Sequence, residues 1–355
     1  MTTTATGAWS KLLLTLGGVL LACALMSCSP ATEDPRPAGI AGEFHGEHIR
    51  WIVPYSPGGG YDEYARLLAP FLERATGARV DIVNLPGAGG MRGANELFLA
   101  PKNGLTIGMI NGSALIMSEI AGISGAGYRF AEFAYLGRIV ADVHVFAVSK
   151  DSEYFSAEDL RNLPAPAKIG ATGLGGSSYV DAVLAKEAFG LNLSIIHGFD
   201  SSSIIRQAML RGDVVGTWGS WGSALDFVDH GAHRVILQTG QVRQPELADV
   251  STTFDLIEQS DNPERTRKIL EAWEALLAVG RPVAAPPGTP ADRVKFLSDA
   301  FSQAMNDPEF LELARKSNRP LNFASDQDMH EIVRRATQLD DEMRALFVRA
   351  IRGEL

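Results

Sequence analysis

Val53-Pro54-Tyr55-Ser56-Pro57-Gly58-Gly59-Gly60-Tyr61-Asp62 is a glycine loop set between two patterns of different period. Before it, Ile49–Pro54 is a short apolar run that reads as a strand. After it, Tyr61, Tyr64, Ala65, Leu68, Phe71, Leu72 and Ala75 repeat at three and four, which predicts a helix. Gly77 ends that helix as a left-handed cap, and Val80–Asn84 is the next strand. A second loop, Asn84-Leu85-Pro86-Gly87-Ala88-Gly89-Gly90, leads into a weaker helical pattern over Ala94–Ala100. Asn103-Gly104 then turns the chain into a third strand, Leu105–Ile110. Bare glycine backbone lets a ligand approach closely, and a helix start aims unpaired N–H groups at it, so each loop suits an anion. Two in tandem predict a site for a carboxylate or phosphate. Every crossover joins strands that must run parallel, which makes this an α/β sheet.

The alternation restarts after about residue 145. Lys168–Thr172 reads as a strand, Gly173–Ser178 as a glycine-serine loop, and Tyr179–Phe189 as a helix capped by Gly190. Leu193–Ile196, Val214–Trp218 and Arg234–Gln238 read as strands, Ser202–Arg211 and Ala224–Asp229 as helices. Further on, Arg281–Ala285 is a short strand, Thr289 an N-cap and Pro290 a first helical residue, followed by helices over Ala291–Asn306, Pro308–Ser317 and Asp326–Ile351. Two α/β units joined by crossing segments leave a cleft between them, where the carboxyl ends of strands collect ligands. The units are placed at 48–143 with 276–355, and at 144–275.

The N-terminus reads as separate from the fold. Leu12–Met26 is apolar but short for a bilayer span, and Leu25-Met26-Ser27-Cys28 has the form of a lipobox. Residues 1–27 are therefore expected to be a lipoprotein signal peptide, Cys28 the lipid anchor to the cell envelope, and 28–47 a disordered tether rich in proline. Leu20-Leu21-Ala22-Cys23 is a rival match, and an ordinary signal peptide is the plainer alternative. With both cysteines placed there, the folded body has no disulfide and no thiol catalyst. Net charge is −10 with no basic run, which argues against a nucleic-acid partner and leaves an anion site dependent on local dipoles.

Enzyme signatures are scarce. Gly173-Leu174-Gly175-Gly176-Ser177 lacks full dinucleotide spacing, and there is no Walker lysine or nucleophile elbow. No metal or other cofactor is expected; Asp229-His230 with His233 reads better as a solvated helix end than as a metal site. Asp62 has two readings, a ligand contact or a partner for helix N–H groups. Arg66 reads as its i,i+4 partner, Arg92 as a solvent-facing residue with cleft contact as the lesser alternative. Trp218, at a strand's carboxyl end, is expected at the cleft; Trp221 and His197 stay open between cleft and core.

Together, the first loop with Ala65-Arg66 behind it, the second with Gly93-Ala94, Asn103-Gly104-Leu105-Thr106 and Ala285-Pro286-Pro287-Gly288-Thr289-Pro290 resemble the periplasmic solute receptors of tripartite tricarboxylate transporters, the Bug-type family. The resemblance spans roughly residues 48 to 350. It implies a two-domain, type II periplasmic-binding-protein-like clamshell, monomeric and not an enzyme. Its ligand is a small di- or tricarboxylate or an aromatic acid, delivered to membrane subunits of the transporter. Backbone N–H groups and waters of both loops are implied to hold a carboxylate, which carries over onto Tyr55, Ser56, Pro57, Gly58, Gly59, Gly60, Asp62, Gly87, Ala88, Gly89 and Gly90. In the second domain Thr172, Gly175, Gly176, Ser177, Ser178, Tyr179, Asp200, Ser201 and Trp218 are the candidates. There the chain departs from the family, with Tyr179 where a histidine is usual and Ile196-His197-Gly198-Phe199-Asp200 in place of a Val-Pro-Tyr-type strand end. A sensor-kinase receptor and an exported phosphate-using enzyme are the competing readings.

Overall fold

The computed structural model describes residues 37–355, apart from Asp142, Leu174, Gly175 and Asp200 and the side chains of Asp226, Phe227 and Asp229. The expected signal peptide and Cys28 lie outside the described residues. After a short helix α1 (Ile40–Phe44), the first lobe begins with β1 (His48–Val53), α2 (Gly60–Thr76), β2 (Arg79–Asn84), α3 (Met91–Phe98), β3 (Thr106–Met109), α4 (Gly112–Ile120) and β4 (Ala134–Arg138). The second lobe holds β5 (His144–Ser149), β6 (Ala167–Gly170), α5 (Ser177–Phe189), β7 (Leu193–Ile196), α6 (Ser202–Arg211), β8 (Gly216–Ser220), α7 (Trp221–Asp229) and β9 (His233–Gln238). A long helix, α8 (Pro263–Val279), returns the chain to β10 (Pro282–Ala285), α9 (Ala291–Met305), α10 (Pro308–Lys316), β11 (Ala324–Ser325), α11 (Asp326–Thr337) and α12 (Asp341–Arg352).

The strands form two sheets, ordered β11-β4-β10-β3-β1-β2 and β7-β6-β8-β5-β9. Strands β2 and β3 flank β1 in parallel, as the crossovers require, and β6 pairs in parallel with β7 and β8. Neither sheet is wholly parallel, because a segment returning from the other lobe enters in the opposite sense. Thus β10 runs antiparallel between β3 and β4, and β5 antiparallel between β8 and β9. The chain changes sheets between β4 and β5 and again between β9 and β10, a stretch that contains α8, and the sequence boundary at 275/276 falls inside that helix.

Helix α2 shows how the pattern makes the element. Tyr64, Ala65, Leu68 and Leu72 share one buried stripe, and Gly77 at φ 72° closes the end by donating its N–H to Glu73 O. Helix α4, buried nearly all round, has no such stripe, and the periodicity reading passes over it together with β4, β5 and α8. Two boundaries are corrected. Thr289 is no N-cap: its hydroxyl donates to Pro286 O, and Pro290 stands at the cap. The last predicted helix is two, because Asp340 starts α12 by accepting from Met343 N. Gly39–Leu355 forms one unit, and one apolar core runs through both lobes from Ile52 to Phe146, Trp218, Trp273 and Phe347.

Candidate functional site

The two glycine loops sit at the carboxyl ends of β1 and β2. In the first, Gly59 O accepts the earliest backbone bond of α2, from Glu63 N at 3.0 Å. Among the described residues, no hydrogen bond takes the N–H of Gly59 or Gly60, which leaves these donors of the helix start without an acceptor. In the second, Gly87, Ala88, Gly89 and Gly90 all have positive φ, at 141°, 48°, 65° and 102°. Ala88 is the strained member, at a cost of about 1–2 kcal/mol for a residue with a Cβ. Gly90 N donates to Gly87 O at 3.1 Å, and the N–H groups of Ala88 and Gly89 have no acceptor among the described residues. Successive amides in a left-handed turn form a concavity that suits an anion. Ser56, Pro57, Gly58 and Gly87 are exposed at its lip.

Asp62 is only 2% exposed and ties the first loop together. Its carboxylate accepts from Gly58 N at 2.9 Å, Arg66 Nε at 2.8 Å and Asn84 Nδ2 at 3.0 Å. Burial pushes this carboxyl up, but the bonds from Arg66, Gly58 and Asn84 outweigh it and hold the group below its ordinary range. Of the two readings of Asp62, the geometry supports the partner of backbone N–H groups, with Arg66 as the i,i+4 mate. Arg92 is exposed and reaches Pro86 O.

From the second lobe, Gly176 meets the second loop: a methyl built on Gly89 lies 3.8 Å from Gly176 Cα. A side chain at Gly176 itself strikes Thr172 Oγ1 at 2.4 Å, so only glycine fits there. Thr172 N and Oγ1 each lie 3.0 Å from Ser178 Oγ, and Ser177 opens α5. Tyr179 is buried, edge-on to exposed His197 at 5.6 Å, and burial raises its hydroxyl above the usual value. Ser201 is spent as the cap of α6, its hydroxyl 3.4 Å from Ile204 N. Gly175 and Asp200 lie outside the described residues.

Trp218 is corrected. It is 1% exposed, stacked on Phe146 at 5.1 Å and edge-on to Trp273 at 5.2 Å, which makes it a core residue and no ligand wall. Trp221 is also buried. What reaches the first loop instead is the turn from β8 to α7. Ser220 Oγ accepts from Arg281 Nη2 at 2.8 Å and donates to Ser223 Oγ at 2.9 Å; a methyl on Gly60 falls 2.9 Å from Ser223 Oγ. Arg281 lies over the rings of Tyr61 and Tyr64, at 4.5 and 5.0 Å, and Arg319 joins Glu63 to Gly222 O. Sequence reasoning passed over Ser220, Ser223, Arg281, Arg319 and Asn111. A signal for one of them was present: Arg281 opens an otherwise apolar buried strand.

Among its described residues the arrangement offers backbone donors and hydroxyls, with no nucleophile hydrogen-bonded to a base. Among the described residues no three His, Cys, Asp or Glu side chains are grouped to hold a metal. Burial, then Arg206, lowers the His233 imidazole below its usual value.

The model of the tripartite tricarboxylate transporter family receptor matches residues 64–343. A Pseudomonas sp. protein described as the UPF0065 protein in the tcbD-tcbE intergenic region is 26% identical over 307 residues, 85% of this chain and 84% of its own length. BugT of Bordetella pertussis is 29% identical over 137 residues, 39% of each chain. The periplasmic binding protein BugD shares the fold at a TM-score of 0.71 and 21% identity, over 86% of this chain and 97% of its own. MatC from Rhodopseudomonas palustris with bound malate does so at 0.67 and 18%, over 85% and 99%. An R. palustris protein with adipate gives 0.69 and 20%, over 85% and 97%. A match across most of the chain, on a two-lobed clamshell of mixed sheets, places the protein in the tripartite tricarboxylate transporter receptor family, a family of solute-binding receptors and not of enzymes.

Proposed function

We propose that the protein is an exported lipoprotein, anchored through Cys28 at the periplasmic face, that captures a small organic carboxylate between its lobes. The lobes are 48–143 with 276–355, and 144–275, and the monomer delivers its ligand to the membrane subunits of a tripartite transporter. The observation that carries this reading is the pair of loops at the carboxyl ends of β1 and β2, whose amides at Gly59, Gly60, Ala88 and Gly89 have no acceptors in the described chain. Malate in one structural relative and adipate in another support a carboxylate as the occupant. The direct test is thermal unfolding of the chain from residue 29 onward against mono-, di- and tricarboxylates. A true ligand at about 100 times its Kd adds roughly 2.7 kcal/mol of stability. A shift from nucleotides and from no carboxylate would overturn the reading.

A further inference from the structure

The third strand end of the first lobe carries a residue that the two loops do not explain. Asn111 is 4% exposed and caps α4: its Oδ1 accepts from Ala114 N at 3.2 Å and lies 3.3 Å from Ser113 Oγ. That fixes the orientation of its amide, because the oxygen must face the helix and the nitrogen must face away. The nitrogen, Nδ2, donates to Tyr55 Oη at 2.7 Å. With its lone pair engaged, the tyrosine hydroxyl turns its own proton to Gly89 O, 3.2 Å away. The same logic holds at the other loop, where Asn84 Nδ2 donates to Tyr55 O at 2.9 Å.

A loop that binds an anion through N–H groups has a built-in hazard. Each peptide carries an oxygen as well, and a glycine peptide turns over with little steric resistance. If the Gly89–Gly90 peptide turns over, Gly90 N–H loses Gly87 O and the Gly89 carbonyl leaves Tyr55, so the turn that lines up the Ala88 and Gly89 amides for a carboxylate comes apart. We infer that Asn111 and Tyr55 form a relay that pins the Gly89 carbonyl and so holds the turn that presents the Ala88 and Gly89 amides to the ligand. Tyr55 and Asn111 are then positioning residues, not ligand contacts. The role rests on the carboxylate reading above, and it deepens that reading by naming what keeps the donors of the second loop in place.

Two variants test the relay. Tyr55→Phe keeps the ring, which packs 4.7 Å from Tyr61, and removes only the hydroxyl. Asn111→Asp keeps the helix cap but has no proton to give, so the tyrosine hydroxyl donates to the introduced carboxylate in place of Gly89 O. The readouts are amide exchange at Gly90 by NMR without ligand, Kd for malate and adipate, and the thermal midpoint. In both variants Gly90 exchange is expected to rise about tenfold and Kd to weaken about tenfold, the effect of losing one hydrogen bond. The midpoint of the Tyr55→Phe variant should stay close to wild type. Unchanged exchange and affinity in Tyr55→Phe would overturn the relay. Faster exchange in a protein that binds neither acid would uphold the relay and count against the carboxylate.

Discussion

At the scale of the residue, Asp62 shows how a conspicuous acid in a binding loop can be consumed by structure. Its folded pKa is depressed, so its contribution is present above the unfolded value, near 3.8, and is lost as pH falls through the folded one. Asp62→Asn is expected to cost about 1–3 kcal/mol at pH 7. Thermal midpoints of variant and wild type should converge as pH drops below 3.8, and a gap that stays constant would refute the assignment. Gly89 gives a complementary test. At φ 65° and facing Gly176, valine there is expected to abolish carboxylate-induced thermal shifts at a stability cost of about 1–2 kcal/mol. Both residues were legible in sequence, since a glycine loop before a helical period announces itself. Asn111 was not, because a lone asparagine after an apolar run reads as any helix cap.

At the scale of the element, sequence served at α2, where one face is buried, and failed at α4, which is buried nearly all round. The stripe on α2 and the left-handed glycines closing α2, α5 and α6 were readable, whereas α4, buried throughout, carries no period. Strand β8 misled differently. Its carboxyl end does face the cleft, but strand side chains alternate, and Trp218 falls on the face packed by Phe146 and Trp273. Trp218→Ala is expected to cost about 3–5 kcal/mol. Trp218→Phe should leave the Kd for a bound acid within about twofold while lowering the thermal midpoint, as for a site remote from the ligand. A selective loss of affinity in Trp218→Phe would return the residue to the cleft.

At the scale of the molecule, the lobes meet through polar contacts near the crossings as well as through Gly89 and Gly176. Arg319 bonds both Glu63 and Gly222 O, so it bridges the two lobes. Arg319→Ala is expected to weaken that bridge by about 1.5–3 kcal/mol, the range for a bond to a charged group. Small-angle scattering should then show a larger radius of gyration without ligand; an unchanged radius would show that the contact does not hold the lobes.

The slot between β3 and β4 has a consequence for assembly. It is filled by β10, from residues 282–285, so the six-stranded sheet stays split until a segment far along the chain arrives. The five-stranded sheet needs only residues 144–238. Closing the longer span costs more chain entropy and slows that sheet. Pulse-labelled exchange during refolding should protect β5 to β9 before β4 and β10, and simultaneous protection would contradict this order. The glycine loops stand on β1 and β2, which pair without β10, so what arrives last is the set of contacts that Arg281 and Arg319 make across the lobes, and an unfinished chain offers an acid one wall and no second.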